Sequence, residues 1–228
     1  YYGSAELRPS ERSLIEMTRR SSSILDLGCG AGRITNQIRK PDARIVGLDI
    51  NHNCTMAGAA NAQNDSINFV TADMTKLPIR SSSFTDVWCL GFSFNSLPTL
   101  RDRVSLLREM KRVCAPDGRV FVQSFNALYG GKFGAMWIAN ALDFASRRLR
   151  RLAGSPAPRL YGGDHIYLAS KAEEAAPGYA HFPTQYELER LARSAWGNNF
   201  TISSRPDGKP IRINPSIDYS IWLRLNAE

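Results

Sequence analysis

Ile24-Leu25-Asp26-Leu27-Gly28-Cys29-Gly30-Ala31-Gly32-Arg33 is the stretch that decides the fold. An apolar run ends in a glycine turn, and aliphatic residues resume at Ile34, so the pattern predicts a strand, a tight loop and a helix over 34–40. The glycines point to close approach. Side chains at 28 and 30 would collide with a ligand laid against the backbone. The third glycine falls at 32 and Arg33 takes the sixth position, so the dinucleotide fingerprint is not met. Asp26, two residues before the first glycine, is a poor neighbour for a diphosphate and a good partner for a cationic amino group.

Outward from this loop the chain alternates as a βα protein does. Residues 44–50 predict a second strand, and the small residues of 56–62 suit a close-packed helix. Residues 67–70, 84–90 and 119–125 predict three more strands. Before the last of these, Val104, Leu106, Leu107, Met110 and Val113 have amphipathic helical spacing within 100–114. Pro116-Asp117-Gly118 is a turn signal. After Asn126 the character changes. Residues 126–182 are rich in Gly, Ala, Arg and aromatics, with a helix expected over 136–152, and they stand outside the regular alternation. A helix over 184–196 follows, with Thr184 as cap and Glu187 at capping-box spacing. Residues 200–204 and 219–225 then alternate like strands.

Composition narrows the class. At 228 residues the prior favours one domain. A 43% hydrophobic and 22% charged chain excludes a disordered one. Seventeen glycines exclude collagen. No apolar run of spanning length occurs. The opening Tyr1-Tyr2-Gly3 has no basic or apolar leader character, and a cytoplasmic location is expected. Cys29, Cys54, Cys89 and Cys114 are far apart and lie in or beside apolar runs, which predicts reduced, buried thiols rather than a metal site or disulfides. Of the net charge of +8, much is local: Arg147, Arg148, Arg150, Arg151 and Arg159 form one cluster. A solvated face, an anionic substrate and a polyanion such as RNA are its three readings.

The D-x-G-x-G-x-G spacing of Asp26, Gly28, Gly30 and Gly32 after an apolar strand resembles motif I of the class I S-adenosylmethionine (SAM)-dependent methyltransferases. The resemblance continues in order over about residues 20–125. Asp49 stands where that family binds the ribose hydroxyls, and Asp73 where an acid lies near the adenine amino group. Residues 84–90 resemble the motif IV strand, and Pro116-Asp117-Gly118-Arg119 the turn before strand five. The implied fold is a single domain over 1–228. It is an α/β, Rossmann-like, doubly wound and mostly parallel seven-stranded sheet, with an antiparallel last strand and residues 126–182 inserted after strand five as a substrate lid. The implied cofactor is SAM, leaving as S-adenosylhomocysteine. Its expected contacts are Tyr2, Asp26, Gly28, Cys29, Gly30, Gly32, Asp49, Ile50, Asp73, Met74 and Leu90. Singly, each acid has a plainer reading: Asp26 and Asp73 as helix caps, Asp49 as a loop carboxylate.

The acceptor is less legible, because methyl transfer from a sulfonium asks mainly for proximity and alignment. Cys89-Leu90-Gly91-Phe92 lacks the Asn/Asp-Pro-Pro-aromatic motif of nucleobase amine methylation. Strand five ends Gln123-Ser124-Phe125-Asn126 without a carboxylate, so no metal is expected. Residues 89–97 are locally similar to glycine and sarcosine N-methyltransferases, with Phe92 where those carry Asn. The resemblance implies methylation of N, O or C of a small, possibly anionic acceptor by in-line displacement. Asn126 and Tyr129 are expected to face the crevice, and His165 in the insert is the candidate base, with His181 as its alternative. An RNA-directed enzyme using the arginine cluster is the competing reading. A nicotinamide oxidoreductase and a non-catalytic SAM-binding scaffold are the others.

Overall fold

The computed structural model describes residues 6–127, 142, 145, 163–168, 177–207 and 220–226. The described strands are β1 (Ser23–Leu27), β2 (Arg44–Asp49), β3 (Ile67–Thr71), β4 (Phe84–Cys89), β5 (Cys114–Phe125), β6 (Asp164–Leu168), β7 (Pro177–His181), β8 (Phe200–Ser203) and β9 (Ser220–Asn226). The helices are α1 (Pro9–Met17), α2 (His52–Ala60), α3 (Leu100–Val113) and α4 (Gln185–Trp196). Seven strands form one sheet in the order β3-β2-β1-β4-β5-β9-β8. Strands β1 to β5 are mutually parallel, and β9 is antiparallel to both β5 and β8. Strands β6 and β7 pair antiparallel in a separate two-stranded sheet. The doubly wound, mostly parallel sheet expected from the sequence is thus the observed one, and its last strand in the chain is the antiparallel one.

Alternation along the strands builds two cores. Leu25, Leu27, Val87, Cys89, Val120 and Val122 face α3 and α4, where they meet Leu106, Leu107, Met110, Leu188 and Trp196. Ile24, Trp88, Leu90, Phe121 and Trp222 face the other way, against Leu14 of α1 and Ile34 and Ile38. Each fully buried aliphatic or aromatic side chain contributes about 1.5–3 kcal/mol, so both faces are needed to hold the sheet.

Three local expectations change. The helix expected over 34–40 is a single 3-10 turn, Thr35–Gln37. Local side-chain bonds compete with it: Thr35 Oγ1 donates to Asp26 and Asn36 Nδ2 to the Gly58 carbonyl. Pro41 also biases Lys40 away from helix, so too few residues remain to propagate one. The Pro116-Asp117-Gly118 turn is absorbed into β5 as an irregularity, where the pairing with β4 shifts between Phe84 and Asp86. Thr184 caps α4 by accepting from Glu187 N, but the Glu187 carboxylate turns to His181 and the capping box stays half made. Of the helix expected over 136–152, positions 142 and 145 are described and both are helical.

Candidate active site

The strand order reverses between β1 and β4, and in such sheets the ligand crevice opens there, beyond the carboxyl ends of the strands. The glycine loop fills that place. Gly28 N and Cys29 N both donate to the Leu48 carbonyl, at 2.7 and 3.1 Å, tying the loop to the end of β2. Gly28, Gly30 and Gly32 all have positive φ, of 70°, 56° and 78°, a region that L side chains enter at a cost.

Their surroundings differ, which spacing alone does not reveal. A Cβ at Gly28 would stand 2.4 Å from Ser93 Cβ, and one at Gly32 would stand 2.7 Å from the Phe69 ring. Both are therefore packing glycines. A Cβ at Gly30 would meet nothing within 4 Å, so Gly30 alone of the three fronts open space. Ser93 Oγ donates to the Gly28 carbonyl at 2.8 Å and clamps the loop to the segment after β4.

Asp49 ends β2 beside this open face. Its Oδ2 accepts from Gly30 N at 2.8 Å and its Oδ1 from Asn51 N at 2.9 Å. A carboxylate has about four lone-pair sites, so these two bonds hold it in place and leave capacity for further donors. Ile50 follows with 73% of its surface exposed, an unusual place for a large aliphatic side chain. Met74 is half-buried, its Sδ 3.8 Å from the position of a Gly28 Cβ. Asp73 is exposed, and its Oδ1 accepts from both Thr75 N and Thr75 Oγ1. Asp73 thus closes a local turn rather than capping a helix, since no helix follows it before β4.

Asp26 lies beneath the loop, 2% exposed, and accepts from Thr35 Oγ1 at 2.7 Å. Burial pushes its carboxyl up to about 6, against the Thr35 bond and Arg33, with Glu11 and Asp49 adding to the rise. Cys29 is pushed far up by burial and by Asp26 and Asp49, so its thiol is no nucleophile. All four cysteines are free. Leu90 is buried in the core facing α1, 2% exposed, which leaves its main chain rather than its side chain to reach the crevice. Asn126, directly after β5, is also buried, 5% exposed. His181 is 1% exposed and held between Asp164 and Glu187, away from any open face. His165 pairs with Ala180 in the backbone register of β6 and β7, and its side chain lies outside the described residues. Tyr1, Tyr2, Tyr129 and the cluster Arg147, Arg148, Arg150, Arg151 and Arg159 also lie outside them.

Two constellations escaped the sequence reading. Glu11 of α1, with no exposed surface, accepts from Arg33 Nη1 and Nη2 at 2.8 and 2.7 Å and from Arg8 N and Nη1 at 2.9 and 2.8 Å. Burial opposes its charge, but Arg33 and Arg8 outweigh that and hold its carboxyl below the ordinary range. Thus α1 is fastened to the residue that leaves the glycine loop. The second is an aromatic wall. Phe92 stacks on Phe125 at 3.9 Å between centroids, Phe125 stacks on Phe182 at 4.4 Å, and the Arg8 guanidinium lies 5.1 Å over Phe92. Phe92 adopts a left-handed conformation, φ 69° and ψ 18°, directly after Gly91 at φ 63°. Asn tolerates that region far better than Phe, and the similar enzymes' Asn at this position was the one sequence hint.

Among the described residues no group of His, Cys, Asp and Glu could hold a metal ion, and no helix is long and apolar enough to cross a membrane. The open Gly30 face, the anchored Asp49 and the apolar Ile50 and Met74 fit a nucleoside-bearing ligand with a free diol.

Comparison with known proteins identifies the family. Residues 25–122 match a family model described as a methyltransferase domain. The chain is 32% identical over 115 residues to a ubiquinone/menaquinone biosynthesis C-methyltransferase of Hahella chejuensis, covering 47% of this chain and 45% of that one. The chain thus spans less than half the length of that relative. Methyltransferase GfsG of Streptomyces halstedii is 30% identical over 198 residues, covering 78% of this chain and 69% of that one. The solved SAM-dependent methyltransferase of Methanosarcina mazei superposes with a TM-score of 0.67 at 19% identity, over 98% of this chain and all of that one. The fold, the glycine loop and the extent of the match to relatives converge on one assignment: the chain belongs to the class I SAM-dependent methyltransferases.

Proposed function

We propose that the chain transfers the methyl group of SAM to N, O or C of a small-molecule acceptor held against the aromatic wall, beneath the 126–182 insert and without a metal. The observation that carries this reading is the open face of Gly30 beside Asp49 and Ile50, with Met74 next to Gly28 and with Phe92, Phe125 and Phe182 at the ends of β4 and β5. Bound SAM supplies a methyl on a sulfonium, whose loss leaves a neutral thioether. The chain's own residues do the remainder. Asp49, already anchored by two main-chain donors, receives the ribose hydroxyls. Ile50 and Met74 flank the adenine, and Asp26 provides negative charge below the loop for the amino group. Stacked phenylalanines exclude water and favour an acceptor with an apolar body. The name of the Hahella chejuensis relative points to the same kind of acceptor.

Calorimetry tests the cofactor assignment. SAM and S-adenosylhomocysteine should bind, NAD should not, and Asp49→Ala should weaken SAM by about 1.5–3 kcal/mol, the range for hydrogen bonds to a charged group. NAD binding without SAM binding ends the proposal. Screening metabolite classes for S-adenosylhomocysteine release tests the acceptor. Binding of RNA that weakens steeply with salt, with no turnover of small molecules, would replace this reading by an RNA-directed one.

A further inference from the structure

Two strands of the insert meet the sheet domain in a largely buried charged cluster that the proposed reaction does not use. Asp164 opens β6, His181 closes β7, and the two are register partners. His181 Nδ1 lies 2.6 Å from Asp164 Oδ1, and its Nε2 lies 2.8 Å from Glu187 Oε1 of α4. Ionised carboxylates only accept, so with Asp164 and Glu187 both charged each ring nitrogen carries a proton and the ring is an imidazolium. From α3, Arg103, only 2% exposed, places Nη2 3.8 Å from Asp164 and Nη1 3.8 Å from Glu187. Arg103 also donates to Tyr179 Oη at 2.9 Å, and Tyr179 donates to Asp164 at 2.7 Å. Among the described residues, two cations face two carboxylates. Losing the His181 proton would leave one buried negative charge unbalanced, a costly state.

The cluster also fastens main chain. Asn95 Nδ2 donates to the His181 carbonyl at 2.5 Å and to Ser124 Oγ at 3.0 Å. Phe182 N donates to the Gly163 carbonyl and Ala127 N to the Pro183 carbonyl. Next to His181 stands Phe182, whose ring completes the aromatic wall.

The geometry points to His181 as a positioning residue: as an imidazolium it pins the Asp164–His181 end of the β6–β7 pair to α3 and α4 and so holds Phe182 against Phe125. This inference rests on the insert covering the acceptor. Burial opposes the His181 charge, but the bonds to Asp164 and Glu187 outweigh it; Arg103 opposes and Glu187 adds, and the ring is held above its ordinary value. A group raised in this way stabilises the fold fully below its unfolded value near 6.5, and that contribution is lost as pH rises through the folded value. The pin therefore loosens on the alkaline side.

The test uses the full chain with S-adenosylhomocysteine as the cofactor probe. Nitrogen-15 spectra, assigned with His181→Gln, should show both ring nitrogens of His181 protonated at neutral pH and titrating above the ordinary histidine value near 6.5. Amide exchange of residues 163–168 and 177–183, corrected for intrinsic rate, should quicken at least tenfold as pH passes through that titration. In His181→Gln it should be fast at every pH, and Glu187→Gln added to it should restore slow exchange by rebalancing the charge. Glu187→Gln alone serves if His181→Gln does not fold, and its titration should fall relative to the parent. S-adenosylhomocysteine affinity should stay within twofold throughout. A neutral His181 ring at pH 7, or exchange indifferent to its titration, overturns the pin. Failure of the unmodified chain to bind S-adenosylhomocysteine instead overturns the cofactor reading.

Discussion

Replacing Gly28 and Gly30 separately by Ala distinguishes a packing glycine from a ligand-facing one. Both positions have positive φ, so each substitution costs about 1–2 kcal/mol of left-handed strain. At Gly30 that is the whole cost, because the new methyl meets nothing within 4 Å. At Gly28 the methyl would stand 2.4 Å from Ser93 Cβ and 2.6 Å from Ser93 Oγ. Ser93 must move, which adds about 1–3 kcal/mol of overpacking and about 1 kcal/mol for the lost bond to the Gly28 carbonyl. A chain of this size loses about 2–4 °C in melting temperature per kcal/mol. Gly30→Ala should therefore melt a few degrees below the parent, and Gly28→Ala at least twice as far below. Affinity should run otherwise for Gly30. Its methyl projects into the space assigned to SAM, so calorimetry should show at least a tenfold loss, about 1.4 kcal/mol, in a nearly intact fold. If Gly30→Ala binds SAM as the parent does, the open face of the loop is not the cofactor face and the site reading fails. Equal melting temperatures for the two variants would refute the packing argument.

Asp26 is buried with its carboxyl raised to about 6, so its contribution to stability is fully present below its unfolded value near 4 and is lost as pH rises through about 6. A shift of about two units amounts to about 3 kcal/mol. Asp26→Asn should thus be at least as stable as the parent at pH 7.5, lose stability less steeply than the parent as pH rises from 4 to 7, and be weaker for SAM; identical pH slopes in thermal melts would refute this. SAM affinity of the parent should rise through the same pH window, because a cationic amino group is best held by the ionised carboxylate. Phe92→Asn relieves left-handed strain of about 1 kcal/mol but removes a buried ring stacked on Phe125, which costs about 3–5 kcal/mol. Denaturant melts should show a net loss of about 2–4 kcal/mol, and a variant as stable as the parent would show that the stack contributes little.

The sheet was legible from residue 23 onward because its strands are continuous apolar runs punctuated by glycines and turns, the pattern of strands covered on both faces. The order of the cofactor motifs along the chain, and the acid at the end of β2, could likewise be read directly. What one dimension could not show was which neighbour each residue meets. Three glycines at regular spacing look equivalent, yet only packing against Ser93 and Phe69 separates Gly28 and Gly32 from Gly30. Asp26 reads as a ligand carboxylate by spacing, and burial under the loop makes it a group with a raised proton affinity. Arg103 sits on an amphipathic helix where a solvated face is the default, but Asp164, Tyr179 and Glu187 arrive from 61 to 84 positions later and bury it. The reason is physical: periodicity encodes which face of an element is apolar, whereas charge pairing and close approach depend on residues far apart in sequence. Those distances exist only once the chain has folded.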